Sequence, residues 1–192
     1  MARPQVGWPV KALTLRHPWP FAIAYLNKRT ENRDWDPRTA ELMGLPWILK
    51  AGEPIAIHGG TAPKRGKNKA WREFEAGYEA MVEISGGTFT PEALRYFEGR
   101  LSLSLEDFIL PGIIAVGTIT HATRGTPLND PWAIPGDLHL LLNPVFTLPE
   151  AVPCTGSQGF WTVDEEIEHQ IGWQVERILP TNTGVTLQDW YA

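Results

Sequence analysis

The sequence is poor in cysteine and has no long apolar run. Cys154 is the single thiol in 192 residues, so no internal disulfide can form. No apolar stretch approaches the about 20 residues that a membrane-spanning helix needs, and the N-terminal MARPQVGWPVK lacks the apolar stretch of a secretory signal. We therefore expect a cytoplasmic protein, without a membrane partner, whose fold is held together by its core.

Histidine is sparse as well. The five histidines are scattered, and together with one cysteine they show no zinc-binding spacing, so we predict no metal and no cofactor. Hydrophobic residues make up 43% of the chain and charged residues 20%, which excludes a disordered chain, a collagen and a coiled coil. This composition indicates one compact domain, or one domain with an insertion.

The net charge of -5 hides an uneven distribution of charged residues along the chain. Up to and including Arg72 there are 13 basic and 5 acidic residues, whereas the remainder has 4 basic and 17 acidic residues. A split of this kind can give a net acidic protein a positive face that attracts phosphates. The alternative is that the two halves interleave in space and their charges cancel.

Apolar runs and turn residues predict strands with one helix near the start. LTL at 13–15 is predicted to be a strand, and PFAIAYLNK at 20–28 a helix, since proline suits a first helical turn. The run RTENRDW at 29–35 shows the alternation of polar residues that is typical of an extended segment. A loop with Pro37 and Pro46 follows, and EPIAIHGG is predicted to be a buried strand that ends at two glycines.

Residues 61–111 lack the strand patterns of the segments on either side and are predicted to form a helical insertion. We expect this insertion to be attached to the edge of a β-barrel that the strands form. The basic tract PKRGKNK leads into a segment whose apolar residues recur at helical spacing from Trp71 onward, and Thr90 begins a further helix. Strand patterns resume with GIIAVGTITHAT, DLHLLLNPVFTL and GFWTV, and a helical tail follows at about 164–192. The predicted fold class is α+β, a mixed β-barrel of about five to six strands with flanking helices.

The run LTLRHPWPFAIAYLNKRTENRDW contains Lys28, Glu31, Arg33 and Trp35 at the spacing K-x-x-E-x-R-x-W after a short helix. This element resembles the ASCH domain, named after activating signal cointegrator-1, a branch of the PUA-like superfamily. Five further elements of that family occur here in the family's order: LTL, Pro18-Trp19, the IAIH strand at 55–58, the glycine-bounded strand at 112–117, and the closing Gln158-Gly159-Phe160-Trp161. The resemblance covers roughly residues 11–60 and 111–164 and leaves the insertion and the tail outside it.

The resemblance implies a PUA-like pseudo-barrel with a cleft between the barrel and the first helix, into which Lys28, Glu31 and Arg33 point. Members of the family are thought to bind RNA or other nucleic acid. Some small bacterial members hydrolyse the acetyl amide of N4-acetylcytidine or its nucleoside, and ribonuclease activity has been attributed to others. Because one fold carries several functions, the fold by itself does not choose among them.

The residue types of the K-x-x-E-x-R-x-W element also suit a nucleotide pocket on chemical grounds. Arg33 offers a planar fork of donors for a phosphate or a base edge, and Lys28 supplies a point charge. Glu31 can accept a hydrogen bond from an exocyclic amine, as acidic side chains do from cytosine. Trp19 or Trp35 could stack on an exposed base. The alternative is a structural ion network of the three charged residues, with both tryptophans in the core.

Three further residues are candidates for ligand contact. His17 adjoins the Pro-Trp element, His58 ends a strand beside two glycines that could form an anion-binding nest, and Gln158 could bind a base edge. Each also has a structural interpretation, as a satisfied histidine at a turn or an amide that braces a loop. The tract PKRGKNK is either a solvated loop or a phosphate contact.

The sequence favours a protein that binds RNA, other nucleic acid or a nucleotide over an enzyme. In the amidohydrolases of the family, a nucleophilic threonine stands three residues after the lysine, but Glu31 occupies that position here. A carboxylate does not replace a hydroxyl nucleophile, although with Lys28 it could act on water as a general acid or base. Thr30 is adjacent, but on an extended segment its side chain faces away from Glu31.

Two other functions stay open at this point. One is a hydrolase of a modified nucleobase, a nucleoside or an RNA phosphodiester, in which Lys28, Glu31 and Arg33 would be the catalytic residues. The other is a role of the barrel and the insertion in binding another protein.

Overall fold

A computed structural model describes residues 10–52, 54–125 and 129–178 of the chain. Within these ranges the strands are β1 (Lys11–Leu15), β2 (Thr30–Arg33), β3 (Pro54–Gly59), β4 (Gly112–Arg124), β5 (Leu138–Val152) and β6 (Phe160–Thr162). The helices are α1 (Trp19–Tyr25), α2 (Pro37–Leu42), α3 (Leu45–Ala51), α4 (Lys69–Ser85), α5 (Pro91–Tyr96) and α6 (Glu165–Ile178), with a 3₁₀ turn at Leu105–Phe108. The described part of the chain is therefore α+β.

The strands form one mixed sheet in the order β2-β5-β4-β3-β1-β6. β1 and β3 run parallel, and the other neighbouring pairs are antiparallel. The two long strands, β4 and β5, shift register at several points along their pairing. Such irregularities bend strands, and the sheet is a half-barrel.

The two faces of the sheet are covered by different helices. Leu13 and Ile57 belong to a core that contains the buried residues of α1 and the aromatic residues of the insertion. Ala12 and Ala56, their neighbours along the strands, belong to a second core with Ile171 of α6. Because successive strand residues point to opposite faces, α1 and α6 lie on opposite sides of the sheet.

Two helices, α2 and α3, occupy the segment that the sequence predicts to be a loop, and that prediction is wrong. Pro37 and Pro46 lie in the first turns of these helices, where a missing N–H costs nothing. Asp36 caps α2, since its side chain accepts a hydrogen bond from the Thr39 N–H at 2.7 Å. α3 buries Ile48 in the core.

The segment 61–111, which the sequence predicts to be a helical insertion, contains α4, α5 and the 3₁₀ turn. α4 begins at Asn68, whose side chain accepts a hydrogen bond from the Trp71 N–H at 2.9 Å. The insertion packs on α1 rather than on a sheet edge: the Phe108 ring lies 4.9 Å from the ring of Phe21, between centres. It therefore extends the core on the α1 side.

α6 falls within the tail predicted at 164–192, and residues 179–192 of that tail lie outside the described residues. Ile171 and Val175 of α6 are buried against the sheet, and its first turn is acidic. Among the described residues, no helix combines the length and the apolar character needed to span a membrane.

Candidate functional site

Lys28, Glu31 and Arg33 form one largely buried ion network. Lys28 Nζ lies 3.0 Å from Glu31 Oε2, and Arg33 Nη2 lies 3.3 Å from Glu31 Oε1. The side chains of Lys28 and Glu31 are 2% and 7% exposed, whereas that of Arg33 is 18% exposed. Each carboxylate oxygen therefore holds one cation, and Arg33 is the member of the network that reaches the surface.

The end of α1 directs Lys28 back toward the sheet. Asn27 follows the helix with a φ of 57°, a left-handed conformation that asparagine tolerates. The Lys28 N–H then donates to the carbonyl oxygen of Ala22 at 3.1 Å. The Lys28 ammonium also donates to the Thr30 carbonyl and lies 5.8 Å from the ring centre of Trp19. Lys28 is thus enclosed by α1, β2 and the network itself.

Arg33 connects the edge strand β2 to β1, which lies near the other end of the sheet. Its Nη2 donates to the carbonyl oxygen of Thr14 in β1 at 2.9 Å, and its Cζ lies 5.3 Å from the ring centre of Trp35. Within the described residues, Arg33 Nε is buried and has no hydrogen-bond partner. Burying a donor without a partner costs about 1–3 kcal/mol. Because Nε has no accessible surface, a ligand would contact the exposed part of the side chain instead.

The two candidate tryptophans have different surroundings. Trp19 is half-buried, whereas Trp35 is 8% exposed and packs edge-on against Phe160 of β6, with 5.8 Å between ring centres. Trp19 therefore retains surface on which a base could stack. Trp35 instead lies against the Arg33 guanidinium and links the segment after β2 to β6.

The opposite face of β2 is occupied by the loop at 129–137. The Thr30 hydroxyl donates to the Asp130 carboxylate, and Asn32 Nδ2 donates to the Trp132 carbonyl at 2.8 Å. As the sequence predicts for an extended segment, Thr30 faces away from Glu31. Sequence reasoning missed Asp130 and Trp132, whose signal is the turn-forming sequence NDPW at 129–132.

His17 forms hydrogen bonds to two segments that are distant in the sequence. Its Nε2 donates to the Gly60 carbonyl at 2.8 Å, and its Nδ1 accepts a hydrogen bond from the Leu110 N–H at 3.3 Å. Burial lowers the pKa of His17 below its ordinary value of 6.5, which agrees with a neutral ring that donates once and accepts once. Both nitrogens are therefore in use, and a ligand would have to displace one of these bonds.

His58 belongs to a second hydrogen-bonded chain, on the α6 side of the sheet. Trp161 Nε1 donates to Thr14 Oγ1 at 3.0 Å, and the Thr14 hydroxyl donates to His58 Nδ1 at 3.2 Å. His58 Nε2 donates to the Cys154 carbonyl at 3.2 Å. Burial lowers the pKa of His58 below its ordinary value. The neutral ring thus fastens the loop at 153–159 to the sheet.

Thr14 is a second residue that sequence reasoning missed. Its carbonyl accepts from Arg33 while its hydroxyl contacts His58, so it lies between the ion network and the histidine chain. Nothing in the local sequence distinguishes it from any other strand threonine. Only the approach of β2 to β1 reveals its role.

We expect Gly156→Ala to destabilise the protein. A Cβ at position 156 would lie 2.3 Å from His58 Cε1 and 2.7 Å from Thr14 Oγ1, so the loop at 153–159 would have to shift. Overpacking of this kind costs about 1–3 kcal/mol, and the midpoint of thermal unfolding should fall accordingly.

Gly172→Ala in α6 is the matched control for this substitution. A Cβ there meets no atom within 4 Å, and alanine is favoured over glycine in a helix by up to about 1 kcal/mol. The midpoint of thermal unfolding of this variant should equal that of the wild type or lie above it. If the two variants unfold at the same temperature, loop 153–159 does not pack on His58 as described.

Gln158 is exposed in the loop at 153–159. The next residue, Gly159, has a φ of 71° and packs closely against Met43 between α2 and α3, which holds this end of the loop. Lys28, Glu31 and Arg33 thus form one cluster with Trp19 and Trp35. Within the described ranges, His17, His58 and Gln158 share no hydrogen bond or ion pair with the three charged residues of that cluster.

A cavity of about 300 Å³ opens beside the end of α1. It is lined by Leu26, Ile84, Ser85, Thr88, Phe89, Thr90 and Trp132, and none of the charged network contributes to it. In the part of the chain that the structure describes, no three His, Cys, Asp or Glu side chains are grouped as metal ligands would be.

No protein-family model matches the sequence, and no curated protein matches it. The function must therefore be inferred from the site itself and from the resemblance of its sequence elements.

Proposed function

We propose that the protein binds nucleic acid, with RNA or a modified nucleotide as the ligand, through Arg33 and the surface around it. The observation that carries this proposal is the position of Arg33, whose side chain is partly exposed and whose guanidinium lies against Trp35. Phosphate oxygens and the acceptors on a guanine edge are the groups that match a guanidinium fork.

The buried part of the network supports this role because it holds Arg33 in one position. Glu31 and the Thr14 carbonyl both engage Nη2, so the side chain has lost most of its freedom before a ligand arrives. Preorganisation of this kind reduces the entropy that binding must overcome. Lys28 acts through Glu31 and does not touch the ligand, since its ammonium already has Glu31 and the Thr30 carbonyl as partners.

The resemblance to the ASCH domain supports the same proposal. A mixed half-barrel in which α1 follows β1, with a Lys-Glu-Arg cluster beside that helix, is the arrangement expected of a PUA-like pseudo-barrel. We therefore assign the fold to the ASCH branch of the PUA-like superfamily as part of this proposal. Binding of RNA or other nucleic acid is the role expected of that branch.

The geometry favours binding over hydrolysis. A general base needs a free oxygen within reach of the proton that it removes, but each Glu31 oxygen already holds a cation. The neighbouring hydroxyl, that of Thr30, donates to Asp130 on the other face of β2. We therefore assign no catalytic role to Lys28, Glu31 or Arg33.

We expect Arg33→Ala to weaken binding of short single-stranded RNA by about 1.5–3 kcal/mol, the usual range for a hydrogen bond to a charged group. Arg33→Lys keeps the charge but loses the fork, so its affinity should be intermediate. Fluorescence anisotropy with a panel of short RNAs and modified nucleosides measures this, and the same mixtures are assayed for hydrolysis products.

Arg95→Ala provides the control for Arg33→Ala. Arg95 also pairs with a glutamate, Glu92 at 2.8 Å, but it lies on α5 and outside the ion network. If Arg33→Ala binds RNA as the wild type does, or if Arg95→Ala loses the same affinity, the proposed role of Arg33 is wrong. Product formation that tracks protein concentration would favour the hydrolase instead.

A further inference from the structure

The first part of the chain presents a continuous set of exposed cations near the site, which we call the basic surface. Its members are Arg16, Lys64, Arg65, Lys67, Lys69 and Arg72, all of them exposed. The side chains of Arg16, Arg65 and Lys69 are 84%, 79% and 85% exposed. These cations are therefore accessible from solution.

Two sets of contacts bring these cations together. Gly60, where the basic loop begins, donates its N–H to the Leu15 carbonyl at 3.0 Å and accepts from His17 at 2.8 Å, so the loop starts beside Arg16. Glu73 of α4 then lies 3.5 Å from both Arg16 and Lys69, one with each oxygen. The end of β1 and the first turn of α4 thus form one surface.

The basic surface has more positive than negative charge. Glu73 and Glu106 pair with some of its members, but within the described ranges Lys64, Lys67 and Arg72 form no ion pair. The acidic first turn of α6 packs on the opposite side of the sheet from α1. Part of the charge asymmetry of the sequence is therefore preserved in space, where an excess of cations attracts a polyanion.

The basic surface also continues from the Arg33 site. Arg33 donates to the Thr14 carbonyl, and Arg16 follows Thr14 by two residues, at most about 7 Å of extended chain. α4 borders the same region, since a Cβ at Gly77 would lie 2.9 Å from Pro18 Cδ and 3.7 Å from the Trp19 ring. A ligand at Arg33 thus lies next to one end of the basic surface.

We infer that the basic surface binds the phosphates of a nucleic-acid strand, one nucleotide of which lies at Arg33. The ligand is then a single-stranded polynucleotide rather than a free nucleoside or mononucleotide. This inference rests on the proposed function and goes beyond it by naming the class of ligand. A nucleoside has no phosphate and a mononucleotide has one phosphate group, so neither engages cations spread from Arg16 to Arg72. The insertion, which lies outside the resemblance, supplies most of this surface.

The test uses a variant that neutralises the three cations without ion pairs, Lys64→Gln, Lys67→Gln and Arg72→Gln together. The probe is a labelled mixed-sequence RNA of about 12 nucleotides, titrated at several salt concentrations. The slope of log K against log salt is negative, and each lost contact to single-stranded nucleic acid reduces its magnitude by about 0.7, so the slope should become shallower by about 2. Affinity should drop about a hundredfold near 0.1 M salt and become equal to wild type near 1 M.

Two controls separate a local effect from a change in net charge. The triple variant Lys50→Gln, Arg95→Gln and Arg177→Gln removes the same charge from α3, α5 and α6, and its salt slope should match that of the wild type. Glu73→Gln removes an acid from the basic surface and should strengthen RNA binding. Cytidine monophosphate should bind all these variants as it binds the wild type.

The outcomes distinguish this inference from the proposed function. If RNA binding depends on Arg33 but the first triple variant binds as the wild type does, the basic surface does not bind the strand and the proposed function stands. Equal losses in the two triple variants, or equal affinity of the wild type for RNA and cytidine monophosphate, also overturn the inference. If the wild type does not bind RNA at any of the salt concentrations, both this inference and the proposed function fail.

Discussion

Glu31→Gln is expected to lower the free energy of unfolding by about 3–5 kcal/mol, as does removal of one partner from a buried ion pair. Glu31 is 7% exposed and holds Lys28 and Arg33 with its two oxygens. The amide keeps the shape but leaves two buried cations without a counter-charge. Urea unfolding followed by tryptophan fluorescence measures the loss. The base preference of the folded variant should stay unchanged, because we propose Arg33, and not the buried Glu31, as the ligand contact.

Glu73→Gln is the matched control for Glu31→Gln. Glu73 also holds two cations, Arg16 and Lys69, one with each oxygen, but at the surface with a side chain 43% exposed. Exposed ion pairs contribute about 0–1 kcal/mol, so this variant should unfold close to the wild type. Similar losses in the two variants would contradict the buried network, whereas a changed base preference in Glu31→Gln would assign Glu31 to ligand contact.

A double variant identifies the source of the Glu31 effect. Lys28→Met removes the more deeply buried cation and leaves Glu31 paired with Arg33. Combined with Glu31→Gln, it leaves one cation instead of two, so the double variant should lose less stability than the sum of the single variants. Strict additivity would show that the two side chains do not interact.

Phe108→Ala is expected to destabilise the protein by about 3–5 kcal/mol, the usual range for truncating a buried phenylalanine. The Phe108 side chain is 1% exposed in the 3₁₀ turn. Its ring lies within 4.8 to 6.2 Å, between centres, of the rings of Phe21, Tyr78, Phe89 and Phe97. Because Phe21 belongs to α1 and the others to the insertion, the cavity would open between the insertion and α1.

Leu101→Ala is the control for Phe108→Ala within the same insertion. Leu101 is fully exposed, so its truncation should leave the unfolding midpoint in urea unchanged. Phe108→Leu retains much of the apolar volume and should lose less stability than Phe108→Ala. A midpoint for Phe108→Ala that matches Leu101→Ala would mean that the insertion does not pack on α1.

Much of the secondary structure follows from local patterns in the sequence. GIIAVGTITHAT and DLHLLLNPVFTL are long β-branched or apolar runs, and they form β4 and β5. The prediction fails at α2 and α3, because proline suits both a loop and a first helical turn. The cap at Asp36 favours α2 and is a local feature of the sequence. The burial of Ile48 favours α3 and depends on the rest of the fold.

The sequence alone determined that Lys28, Glu31 and Arg33 lie close together. Glu31 and Arg33 are two residues apart on a segment that the sequence predicts to be extended, so they share a face, and Lys28 precedes Glu31 by only three residues. The helix itself ends at Tyr25, earlier than the predicted end at Lys28. The tertiary structure decided which of them reaches the surface. α1 and the curled sheet cover Lys28 and Glu31, while the approach of β2 to β1 gives Arg33 its bond to Thr14, nineteen residues away. Burial and such pairings depend on contacts between distant segments, and no local pattern encodes them.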